Sequence, residues 1–103
     1  MNQTLYFANL REQAIFSPDG PRPQVLVQTD KLKALVAGLE PGQTIPPHPE
    51  ALSMYYFLEG AGWMTVDGER FPVSAGVALF LPQGAVRGLE AESRLVFLAA
   101  RVT

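Results

Sequence analysis

Glycine and proline punctuate this chain at short intervals, and that spacing constrains its fold more than any other feature. Nine glycines and nine prolines fall among 103 residues. They separate apolar runs of strand length, as in an all-β domain and unlike a helical bundle. The runs cover 25–28, 32–39, 52–58, 62–66, 71–73, 77–81, 86–89 and 95–102. Between two of them stands Asp67-Gly68, a strong hairpin signal, and Glu59-Gly60 marks another turn. Residues 17–23 hold three prolines and a glycine and predict a surface loop. At least eight strands at this spacing suit a sandwich or jelly roll.

One segment has two solutions. Leu32, Leu35, Val36 and Leu39 recur at helical spacing, with Thr29 as a possible N-cap and Gly42 just beyond. The alternation Leu32, Ala34, Val36 predicts a strand less forcefully.

Composition removes several classes of function. Hydrophobic residues make up 48%, enough for one compact core. A chain this short buries only about two-thirds of its unfolded surface, so the apolar excess points to surface covered by a partner subunit. Net charge is −2 and the eight basic residues are scattered, which gives no footprint for nucleic acid. No apolar run reaches the length of a membrane span, and residues 1–10 lack the pattern of a signal peptide. There is no cysteine, hence no disulfide and no thiolate metal site. That fits a cytoplasmic protein.

Two frames organise the apolar runs. Gly42 is followed after five residues by His48, and Glu59-Gly60 closes the next strand. Gly76 is followed after five residues by Pro82, then by Gly84. Gly42, Gly76 and Gly84 give backbone freedom at corners where strands leave one sheet for another. Pro82 ends the run 77–81.

Together the frames resemble the two signature motifs of the cupin superfamily of small RmlC-like barrels. The resemblance covers about 25–102 and implies a double-stranded β-helix, or jelly-roll barrel. It implies a single domain over 1–103, an N-terminal arm over about 1–24, and pairing of barrels into a homodimer. It also selects strand over helix for 32–39, since the motif places a strand before its first glycine. Trp63 and the apolar residues between Leu5 and Phe16 are candidates for covering a neighbouring subunit.

The resemblance implies a site at the barrel mouth. The motif's first two histidines, its glutamate and its last histidine fall here on His48, Glu50, Ser53 and Arg87. A catalytic cupin holds a divalent metal with histidines and a carboxylate, leaving positions open for substrate. His48 is the only histidine of this chain; with Glu50 it makes two ligands, and a guanidinium at Arg87 repels a cation. The expectation is therefore no metal cofactor, with a divalent transition metal on His48 and Glu50 as the alternative. If Arg87 points inward, it either pairs with Glu50 beside His48 or grips an anionic ligand; if outward, it is a solvated side chain. Ser53, Tyr55 and Phe57 share one strand face. On the inward face they line a cavity for a small molecule or fill the core. Ligand-binding candidates are thus His48, Glu50, Ser53, Tyr55, Phe57 and Arg87. The expected function is binding of a small metabolite, anionic if Arg87 grips it, in a sensing, accessory or structural role. The alternative is an enzyme, either a metal-dependent oxygenase or isomerase or a metal-free acid–base catalyst using His48.

Overall fold

A computed structural model describes residues 3–103; residues 1 and 2 of the expected arm lie outside the described residues. Among these, nine strands follow a short 3₁₀ turn at Leu10–Gln13. They are β1 (Gln24–Gln28), β2 (Leu32–Leu39), β3 (Thr44–Pro49), β4 (Ser53–Glu59), β5 (Ala61–Val66), β6 (Glu69–Ser74), β7 (Ala78–Leu81), β8 (Val86–Ala91) and β9 (Leu95–Val102). All pair antiparallel, in a five-stranded sheet of order β1-β2-β9-β4-β7 and a four-stranded sheet of order β3-β8-β5-β6. The two sheets face each other as a jelly roll, as expected from the turn spacing. No described helix is long and apolar enough to cross a membrane.

The helical spacing in 32–39 has a tertiary cause. Leu35, Ala37 and Leu39 face the core, while Val36 on the opposite face is fully buried too. A strand covered on both faces loses its alternation. Phe16 of the N-terminal arm provides cover at Gly38, where an added Cβ would meet its ring at 2.9 Å. Thr29, the apparent helix cap, instead holds the β1–β2 turn: its Oγ1 accepts from the Lys31 and Leu32 N–H groups, both at 3.0 Å.

Strand β3 was not among the eight apolar runs. Its sequence, Thr-Ile-Pro-Pro-His-Pro, carries three prolines that cannot donate to a ladder. It survives as an edge strand, bonded only to β8, with an irregularity between Ile45 and His48. At Asp67-Gly68 both residues have positive φ, 50° and 85°, as a type I′ hairpin requires. The Asp67 carboxylate then accepts the Val86 N–H at 2.8 Å, tying this hairpin to β8.

The core lies between the sheets around Leu39, Phe57, Met64, Leu95 and Phe97, none more than 2% exposed. It fills one end of the barrel. The other end, where β3, β8, β4 and β9 bring their polar residues, is left less filled.

Candidate ligand-binding site

Strand register builds this end of the barrel. On β9, Leu95, Phe97 and Ala99 face inward, and the same alternation turns Arg101 inward. Arg101 stands opposite Ser53 on one side and Lys33 on the other. On β8, Leu89 and Ala91 belong to the core, as does Ala85 just before it, so Arg87 shares their face, opposite His48.

Arg87 points into the barrel and is 1% exposed, among the largest fully buried side chains of the protein. Its guanidinium is held almost entirely by neutral oxygens. Nε and Nη2 donate to the Ala85 carbonyl at 3.0 and 2.9 Å, and Nη1 donates to Ser53 Oγ. Nη2 also reaches the Glu50 carbonyl at 3.4 Å. The expected charge pair with the Glu50 carboxylate is not what the structure holds. Glu50 Oε2 instead lies 3.3 Å from Arg101 Nη1 and 3.5 Å from His48 Nε2. The Ala85 carbonyl takes two of the three Arg87 nitrogens and Ser53 the third, while Arg101 is the arginine that meets the Glu50 carboxylate. The other ring nitrogen of His48 lies 3.0 Å from the Pro46 carbonyl, so both face oxygens.

His48, Arg87 and Arg101 border a cavity of about 180 Å³. Its walls are Leu35, Ile45, Leu89, Phe97 and Ala99. Its polar atoms come from His48, Tyr55, Arg87 and Arg101. Burial pushes the Tyr55 phenol above its ordinary value, against the pull of the nearby Arg87, so it faces the cavity as a neutral hydroxyl. A larger groove of about 500 Å³ lies between the N-terminal arm and β1–β2, lined by Leu5, Phe7, Leu26 and Val27. It is an open surface without a charged lining residue, and the chemistry lies elsewhere.

Of the six sequence candidates, His48, Tyr55 and Arg87 line the cavity. Ser53 is buried behind Arg87 and fixes its orientation. Glu50 stands at the rim, between Arg101 and His48. Phe57 shares the inward face of β4 but lies wholly in the core, stacked against Phe97 with centroids 5.9 Å apart; it is packing, not lining. Arg101 was missed. The alternation Leu95, Phe97, Ala99, Arg101 carried the signal.

The cupin domain matches residues 35–100. The chain belongs to the cupin family. Among solved structures, this cupin resembles a conserved protein of unknown function from Streptococcus pyogenes, with a TM-score of 0.85 and 25% identity over 98% of this chain and 90% of that one. An RmlC-like cupin protein from Desulfovibrio desulfuricans gives 0.84 and 23% identity, over 94% and 95% of the two chains. In sequence, 54 residues are 39% identical to the dimethylsulfoniopropionate lyase DddW of Ruegeria pomeroyi. That match takes in 52% of this cupin and 36% of the lyase, so this chain spans about a third of the relative's length.

A divalent metal, which the cupin resemblance implies, does not fit the residues at its motif positions. They offer one imidazole, one carboxylate already facing Arg101, one hydroxyl and one guanidinium. A guanidinium is a cation with no lone pair to give. Among the described residues, no three histidine, aspartate or glutamate side chains gather to hold an ion.

Proposed function

We propose that this cupin binds a small anionic metabolite in its barrel cavity without a metal. One observation carries the reading: two guanidiniums, Arg87 and Arg101, border an apolar cavity whose rim holds a single carboxylate. Fixed positive charge with apolar walls suits an organic anion, because little water remains to compete for it. Arg87 takes over the charge that a metal supplies in other cupins, and Ser53 and the Ala85 carbonyl hold it in place. Calorimetric titration with small organic anions and with neutral molecules of the same shape tests the reading. Binding should favour the anions and survive treatment with a chelator. Close to one transition metal per chain by elemental analysis, lost in His48→Ala, would overturn it.

An enzymatic reading is favoured by the 39% identity with a lyase whose substrate is named as a propionate, itself a small carboxylate. Against it stands Tyr55, held as a neutral phenol and so not poised to take a proton from a substrate. Loss of dimethylsulfoniopropionate on incubation with the protein, followed by NMR, would establish turnover.

We infer also that a second copy covers the outer face of the five-stranded sheet. Ala34, Ala100, Met54 and Phe80 form one row across four strands of that face. Leu98, Tyr56 and Ala78 form the next, which ends at Val36, already buried within its own chain, and neither row carries a charge. The first row is small at one end and large at the other. A twofold axis through it sets each Phe80 over the partner's alanines, which is the self-complementarity a symmetric dimer requires.

A further inference from the structure

Resting on the anion-binding reading above, we infer that the ligand is a short-chain monocarboxylate, that Arg101 grips its carboxylate, and that Glu50 occupies that grip until the ligand arrives. The two arginines of the cavity are not equivalent. Arg87 has its fork engaged: Nε and Nη2 bond the Ala85 carbonyl and Nη1 bonds Ser53. It contributes charge to the wall but has few donors left to turn on a ligand. Arg101 is different. Its side chain is 27% exposed at the cavity rim, and among the described residues its polar contact is the 3.3 Å approach of Nη1 to Glu50 Oε2. Most of a five-donor fork stays open.

The group that Arg101 already faces identifies the group it would take. A free carboxylate arriving from solvent can replace the Glu50 carboxylate like for like at the Arg101 guanidinium. Glu50 is not stranded by the exchange, because the same oxygen lies 3.5 Å from His48 Nε2. A planar carboxylate matches two parallel N–H groups of the guanidinium, and a carboxylate is the group this position already faces.

The rest of the cavity sets the tail. Leu35, Ile45, Leu89, Phe97 and Ala99 make up most of the remaining wall, beside the Tyr55 hydroxyl and His48, so most of the tail is apolar. The volume of about 180 Å³ equals about six water molecules at ~30 Å³ each. That admits roughly four to six carbon atoms.

Calorimetric titration of the full chain with sodium salts of straight-chain acids, from acetate to octanoate, tests the inference. Primary alcohols of the same lengths and inorganic phosphate serve as comparisons. Affinity should rise about fourfold per methylene up to the length the cavity admits, then fall. Arg101→Gln should weaken the carboxylates about tenfold or more and leave the alcohols unchanged. Glu50→Gln should act in the opposite direction and tighten them by about two- to fivefold, since the internal occupant is gone. Both positions are partly exposed, and circular dichroism melts would verify that the variants fold. Unchanged carboxylate affinity in Arg101→Gln, weaker affinity in Glu50→Gln, or preference for phosphate each overturns the inference while leaving the anion-binding reading intact. If the wild-type chain prefers no anion to its neutral counterpart, the anion-binding reading fails as well.

Discussion

Arg87 is the residue whose surroundings say most about this protein. Burying a cation costs several kcal/mol unless its hydrogen bonds are complete, and here a carbonyl and a hydroxyl complete most of them at a place the family motif gives to a histidine. No buried side-chain nitrogen or oxygen among the described residues lacks a partner. Removal therefore breaks a satisfied arrangement. Arg87→Ala should destabilise by ~3 kcal/mol or more, through an internal void and the unpaired Ala85 carbonyl. Arg87→Met keeps most of the volume and removes the buried charge, so it should cost less, ~1–3 kcal/mol. Urea denaturation of the two variants checks the order. Equal losses would mean that volume plays no part; no loss in either would mean that the guanidinium is not held as described.

At the scale of elements, the passage from β4 to β5 is the tightest point of the chain. Gly60 has φ +83°, and a Cβ there would lie 1.6 Å from the Arg94 carbonyl oxygen. The obstacle is backbone at the start of β9 and cannot swing aside. Gly42 has almost the same φ, +84°, but open space around its missing Cβ. Gly42→Ala should therefore cost only the conformational strain, ~1–2 kcal/mol. Gly60→Ala should cost at least ~3 kcal/mol or prevent folding. Comparing the urea midpoints separates strain from collision, and similar midpoints would refute the distinction. Elsewhere the strands are fixed by side chains that reach across turns. Trp63, a candidate from sequence for covering a neighbouring subunit, donates to Glu92 at 2.7 Å and carries the Arg70 guanidinium 3.9 Å above its ring, on the outer side of the four-stranded sheet. That engagement sets it apart from the apolar rows proposed for the dimer.

For the whole molecule, the unbalanced feature is the outer face of the five-stranded sheet. Phe80 is 80% exposed and Tyr56 39%, in rows without charge. From the arm, Leu5, Tyr6, Phe7 and Ile15 also remain exposed, while Phe16 is taken up within its own chain over Gly38. The dimer proposal predicts a sedimenting mass near twice 11.2 kDa at micromolar concentration. Phe80→Glu should shift it to the monomer without loss of secondary structure. A wild-type monomer under those conditions would remove the proposal, and a dimer insensitive to Phe80→Glu would move the interface to another face.

The turn chemistry of Gly and Pro determined an all-β chain, and the two glycine–proline frames determined the barrel, because both are local: a corner needs the same residues whatever surrounds it. Local too was the alternation on β4 that set Ser53, Tyr55 and Phe57 on one face. Other features were decided only when distant strands met. Residues 35–39 lose the strand alternation because they are buried on both faces, with Phe16 of the arm over Gly38, and no local pattern reports a second cover. β3 is a strand despite its prolines because β8 bonds one edge of it and leaves the other to solvent. The inward turn of Arg87 was one of two solutions open to its sequence, and Arg101 drew no notice in its own. Their different roles follow from which oxygens each reaches: main chain and Ser53 for one, the Glu50 carboxylate for the other. The Ser53 and Glu50 oxygens lie 34 and 51 positions away along the chain, so only the folded register could assign them.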